Sequence, residues 1–160
     1  MMVNHKLKYI LLLFFLTILY TSCKSSKNKN EQDNLVFPQG KEVNNNNFTG
    51  KVWLQMLVQS DSTLYTQIGN VTFEPKARTK WHYHKGGQIL LVTRGVGYYQ
   101  EKGKPKEVIK KGDVIKCPSN IVHWHGASSE DTMIHIAISP NLNDGGVVWL
   151  KSVSDEEYYQ

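Results

Sequence analysis

Cysteine is scarce in this chain, with only Cys23 and Cys117 among 160 residues. Cys23 is read below as a lipid-attachment site, which leaves Cys117 alone and excludes an internal disulfide, even in an oxidising compartment. Cys117 sits in a strand pattern just before Pro118 and reads as a small buried apolar residue rather than a nucleophile. Helix signals are also scarce. Only Ser154-x-x-Glu157 near the end has the form of a capping box that opens a short helix. Tyr9 to Tyr20 is an apolar run broken only by Thr17. It is shorter than the ~20 residues a spanning helix needs. No basic stripe is interleaved with aromatics, and the lysines bunch in the polar N-terminal part and in Lys102 to Lys111. The net charge is +5, so a solvated or membrane-facing surface is expected and nucleic acid is not a partner.

The chain divides by composition. Residues 1–22 read as a signal peptide, with His5, Lys6 and Lys8 before the apolar run and small Thr21 and Ser22 after it. With Cys23 these resemble the lipobox of bacterial lipoproteins, although Tyr20 takes the place where Leu19 would be usual. Lipidation at Cys23 implies anchoring on the periplasmic side of a bacterial cell envelope. An unmodified Cys23 would give a secreted or periplasmic protein. Residues 23–47 are rich in Lys, Ser, Asn and Gln and close on Asn44 to Asn47, as expected of a flexible tether that buries little. The folded domain is expected at 48–160.

What the domain does have is histidine. His82, His84, His123, His125 and His135 fall close together in sequence. Side chains alternate along a strand, so the members of each H-x-H pair share a face. Two such pairs on facing strands could hold one metal ion, and imidazole suits zinc, iron, copper, nickel and manganese alike.

The rest of the domain reads as short strands. Candidate strands are Lys51–Val58, Tyr65–Phe73, Lys80–His84, Gln88–Thr93, Gly97–Glu101, Glu107–Ile109, Asp113–Cys117, Val122–Gly126 and Met133–Ser139. Turn residues separate them, among them Gly86-Gly87, Arg94-Gly95 and Lys110-Lys111-Gly112. Strands at this spacing predict an all-β sandwich or barrel with a short C-terminal helix.

These residues carry a family resemblance. His82-x-His84-x3-Gln88-x6-Gly95 resembles the first cupin motif, with Gln88 where a glutamate is usual. Gly112-x5-Pro118-x4-His123 is similar to the second, with Asn120 where a glycine is usual. Within cupins the chain resembles the small single-domain hydroxynitrile lyases, through Phe48-Thr49-Gly50, Trp81-His82, Gly87-Gln88, His123-Trp124-His125-Gly126-Ala127 and His135-x-Ala137-Ile138. The resemblance implies a double-stranded β-helix, or jelly-roll, barrel. It implies His82, His84, Gln88 and His123 as ligands of a divalent metal, manganese first, with iron, zinc or nickel as alternatives. A neutral amide at Gln88 leaves such a site one positive charge richer than a carboxylate would, which favours a bound anion such as cyanide.

By alternation His135 shares its face with Met133 and Ala137, and Ile134, Ile136 and Ile138 take the other face. His135 and His125 are therefore the candidate acid–base residues, kept neutral by apolar surroundings. Tyr83, Trp124 and Met133 are candidate wall residues, although alternation turns Tyr83 away from the metal. The expected partner is a small-molecule substrate. The isoleucine face implies a homodimer or higher homo-oligomer, and contact with a membrane comes only through the lipid anchor. Two other function classes remain open. One is a metal-dependent cupin oxygenase or isomerase. The other is a lipoprotein that binds a metal or small ligand without catalysis.

Overall fold

A computed structural model describes residues 35–160. The expected signal peptide, Cys23 and the first part of the expected tether lie outside the described residues. The strands are β1 (Lys41–Glu42), β2 (Phe48–Thr49), β3 (Val52–Val58), β4 (Gln67–Phe73), β5 (Arg78–Thr79), β6 (His82–His84) and β7 (Gln88–Arg94). They continue as β8 (Val96–Glu101), β9 (Glu107–Lys110), β10 (Val114–Cys117), β11 (His123–Ala127), β12 (Met133–Ser139) and β13 (Val147–Trp149), and helix α1 (Asp155–Tyr159) follows.

Two sheets share these strands. One runs β1-β3-β4-β12-β7-β10. The other runs β13-β6-β11-β5-β2, with β8 on the other side of β11 and β9 beyond it. All pairings are antiparallel. The main core draws Val52, Val71, Phe73, Leu90 and Met133 from the first sheet and Tyr99, Ile109 and Ala127 from the second. The two apolar faces thus close on one another as a jelly-roll barrel, as the strand spacing predicts.

The polypeptide direction reverses sharply before and after β7. At Gly95, φ is +74°, and a β-carbon there would collide with the Thr132 carbonyl. Only glycine fits, and the tight turn starts β8 on the opposite sheet.

The structured unit begins at Val36, earlier than the boundary expected at residue 48. β1 pairs with β3, the Val43 amide donates to the Val52 carbonyl at 2.8 Å, and Asn70 Nδ2 donates to the Pro38 carbonyl at 3.2 Å. The edge of β3 presents unpaired backbone groups, and this polar segment satisfies them although it is poor in apolar residues.

At the other end, α1 clamps the outer face of the second sheet. Ser154 and Glu157 form the reciprocal capping box. Tyr158 is buried against Trp124 and donates its hydroxyl to the Ala127 carbonyl at 2.8 Å. Buried Arg78 donates to the Val153 carbonyl and Asp155 and stacks over the Tyr158 ring. Trp81 and Lys151 both bond Glu157. Burial alone would raise the Glu157 carboxyl; these donors and the Ser154 amide hold it at about 2. Among the described residues no helix is long and apolar enough to cross a membrane.

Candidate metal centre

Register brings the two H-x-H pairs together. His82 on β6 lies directly opposite His123 on β11, with ring centroids 4.4 Å apart. Because the strands are antiparallel, His84 and His125 extend from this central pair in opposite directions. The His84 ring is 5.2 Å from that of His82 and 5.8 Å from that of His123. The His125 ring is 5.3 Å from His82 and 4.9 Å from His135 on β12. All five histidines are buried.

Hydrogen bonds settle which nitrogens are free. His82 Nδ1 lies 2.9 Å from the Lys80 carbonyl, and His123 Nδ1 lies 2.9 Å from the Ile121 carbonyl. A carbonyl only accepts, so both Nδ1 atoms carry the proton and both Nε2 atoms present lone pairs. Gln88 Oε1 sits 3.4 Å from His123 Nε2. Two acceptors then face each other without a proton between them, which a cation reconciles. His82, His123 and His125 each offer a donor atom, all within 4.8 Å of one another. His84 Nε2 and His125 Nδ1 are buried without a partner. The donor set therefore fits a divalent metal.

The electrostatics agree. Burial lowers the pKa of His82 and His125 well below the ordinary histidine value, and neighbouring histidines lower them further. Burial, followed by His123, takes His84 to about 4. His123 is also lowered by burial. The cluster is neutral at physiological pH, the form that binds metal.

A cavity of about 170 Å³ opens beside the cluster, lined by His82, His84, Gln88, His125 and His135 together with mostly apolar residues and the polar Gln67, Thr79 and Ser139. His135 is fully buried in its lining, and neither ring nitrogen has a partner. Burial lowers its pKa to about 4.

Comparison with known proteins places this architecture. Residues 69–139 match the Cupin domain family. Over 111 residues the chain is 42% identical to (R)-mandelonitrile lyase of Granulicella tundricola, covering 69% of this chain and 85% of that one. The chain belongs to the cupin family. A solved cupin-like protein of Thermotoga maritima shares 50% identity with a TM-score of 0.76, covering 78% of this cupin and 94% of that chain. A polyketide cyclase of Streptomyces resistomycificus, at 16% identity and a TM-score of 0.58, covers 74% of this cupin and 84% of its own chain and shares the fold alone.

The cavity walls of this cupin differ from those expected. Trp124 is buried on the outer face of its sheet against Trp81 and Tyr158. On β11 one face carries the histidines and the other is covered by the C-terminal segment, so Trp124 is buried without reaching the cavity. Met133 lies in the core and Tyr83 is half-buried between the two β6 histidines; neither lines the cavity. The walls are Phe48, Leu54, Met56, Gly69, Val71, Ala137 and Trp149. Trp149 comes from β13, which pairs with β6 and sets its ring 4.8 Å from His82. The sequence signal for β13 was the apolar run Val147-Val148-Trp149 directly after Gly145-Gly146.

Proposed function

We propose that this cupin is a metal-dependent lyase that cleaves and forms cyanohydrins. His135 carries this reading. It is a fully buried neutral imidazole with both nitrogens unpartnered, set in the lining of a small apolar cavity beside a histidine donor cluster. The relative named (R)-mandelonitrile lyase supports it.

His82, His84, Gln88 and His123 are the proposed ligands, with manganese as the proposed ion. The bound ion supplies positive charge that stabilises an anion in the cavity. His135 accepts the proton of the cyanohydrin hydroxyl through an unpartnered ring nitrogen. As that O–H bond breaks, the C–O bond becomes a carbonyl, and the bond to the nitrile carbon breaks with its electron pair. The cyanide takes up the proton, so aldehyde and hydrogen cyanide leave and His135 is neutral again. His125, beside His135, is the proposed donor that holds the substrate oxygen. Trp149 and Phe48, with centroids 5.6 Å apart, exclude water from one wall.

The test separates binding from chemistry. His135→Ala is expected to keep the metal of the parent protein and lose cyanohydrin cleavage. Loss of both together would remove His135 from its proposed role as a base.

The unit is further proposed to hang from a lipid on Cys23 at the periplasmic side of the envelope. It is also proposed to pair with a second copy through the outer face of the first sheet. Ile136 there stands beside Leu91, and Leu91 beside Val114, which is 65% exposed. An uncovered apolar sheet face of this kind favours association.

A further inference from the structure

The inward residues of the first sheet form successive cross-strand rows. The innermost row is Phe73 opposite Met133, both fully buried. Next comes Val71 opposite His135, then Gly69 opposite Ala137, then Gln67 opposite Ser139. Burial falls along the series, from complete at Phe73 and Met133 to partial at Gln67 and Ser139. The cavity therefore has His135 at its base and the Gln67–Ser139 row at its rim. Rows two residues apart are separated by about 7 Å.

The row between base and rim is the smallest in side-chain volume. At Gly69 a β-carbon would come within 2.7 Å of Leu54 Cδ1, so glycine leaves the room that the Leu54 side chain takes in the cavity wall. The volume of about 170 Å³ resembles that of an apolar cavity known to take one benzene ring, about 150 Å³. A substrate whose reacting carbon meets His135 thus places one aryl ring at the level of the Gly69–Ala137 row, against Leu54 and Ala137. The far end of the ring points toward the rim, where a substituent on it approaches the long Gln67 side chain.

The rim is polar, and its groups are weakly partnered or unpartnered. The Gln67 amide donates only to Met56 Sδ at 3.5 Å, a weak acceptor. No described residue bonds the Ser139 hydroxyl, which lines the cavity. We propose that Gln67 and Ser139 are specificity-determining residues, which read a hydroxyl or similar polar substituent at the far end of a single-ring substrate. The substrate class is then a ring-hydroxylated aromatic cyanohydrin or its aldehyde. This rests on the lyase reading for the orientation of the reacting end.

The test is equilibrium binding of two unreactive probes, benzyl alcohol and 4-hydroxybenzyl alcohol, to full-length metal-free protein, followed by calorimetry or ligand-observed NMR. The hydroxylated probe is expected to bind roughly threefold to tenfold more tightly, the value of one net hydrogen bond. The double variant Gln67→Leu, Ser139→Ala is expected to abolish this difference and leave benzyl alcohol binding unchanged. Equal affinity for the two probes, or a preference that survives the double substitution, would overturn the proposal. Mandelonitrile turnover without a hydroxyl preference fails the rim alone. A hydroxyl preference abolished by the double substitution, without turnover, supports the rim and fails the lyase reading.

Discussion

The rings of His125 and His135 stand 4.9 Å apart and 77° to one another, edge to face, with His125 Nδ1 and both His135 nitrogens unpartnered. Unpartnered buried nitrogens are costly unless a ligand or metal satisfies them. Three such atoms at the base of one cavity mark where a substrate's polar end belongs.

Removing the imidazole tests this directly. His135→Ala is expected to keep bound metal and lower the turnover rate on the order of 10²-fold or more, the usual contribution of a positioned base. The measurement is kcat beside metal content per chain. An unchanged kcat would reject the assignment.

The metal centre yields a graded prediction. His82→Ala and His123→Ala are expected to lose most of the ion, because each removes an Nε2 lone pair whose ring a backbone carbonyl already orients. Gln88→Ala weakens binding less, since a neutral amide oxygen is the poorer ligand. Metal content of His84→Ala against His125→Ala decides which of the two completes the shell. The proposed set expects the larger loss for His84→Ala.

The buried histidines also make metal-free protein sensitive to acid. Their folded pKa values lie below the ordinary 6.5, and for His84 and His135 near 4. The unfolded chain therefore binds more protons between pH 6.5 and about 4, and stability present above 6.5 is lost as pH falls through that window. For fully buried His135 alone the effect is on the order of 3 kcal/mol. Thermal melts of chelated protein should fall steadily across this range. A melting temperature unchanged down to pH 4 would contradict the burial of these groups.

The C-terminal clamp has a local weak point. Ser154→Ala removes the acceptor of the Glu157 amide bond at 3.1 Å. A loss of about 1 kcal/mol and a few degrees in Tm is expected.

The barrel and much of its chemistry were legible in the sequence, because a period of two is enough to place both H-x-H pairs and to turn His135 inward. His82 and His84 are buried with half-buried Tyr83 between them, as alternation requires. At Trp124 alternation points the right way, away from the histidines, but β11 is buried on both faces, so the burial expected of a cavity wall comes instead from a covered outer face. Which residues cover its outer face depends on the return of α1, roughly thirty positions later. β1, β2, β5 and β13 were missed because strands of two or three residues have too few side chains to show a period. With β13 went Trp149, a cavity wall whose ring lies 4.8 Å from that of His82. Which members of the two pairs stand opposite was not legible, since register sets His82 against His123 and spacing does not.

Association through the first sheet has its own test. Ile136→Lys puts a charge at one end of the Val114, Leu91 and Ile136 row. Light scattering is expected to report at least two chains for the parent protein and one for the variant. A parent protein that is monomeric at micromolar concentration would contradict the proposed interface.

Attachment is read by fractionation. Cys23→Ser is expected to leave the membrane fraction, since among the described residues no helix can span a bilayer. Membrane retention equal to that of the parent protein would count against the lipid anchor.

The most direct measurement is benzaldehyde absorbance when manganese-loaded protein meets mandelonitrile, against buffer and against the same protein stripped with chelator. Metal-dependent release of benzaldehyde and cyanide above both controls is expected, abolished in His82→Ala. Release no faster than in the chelated control would contradict the lyase reading, while the histidine cluster would still stand as a metal site.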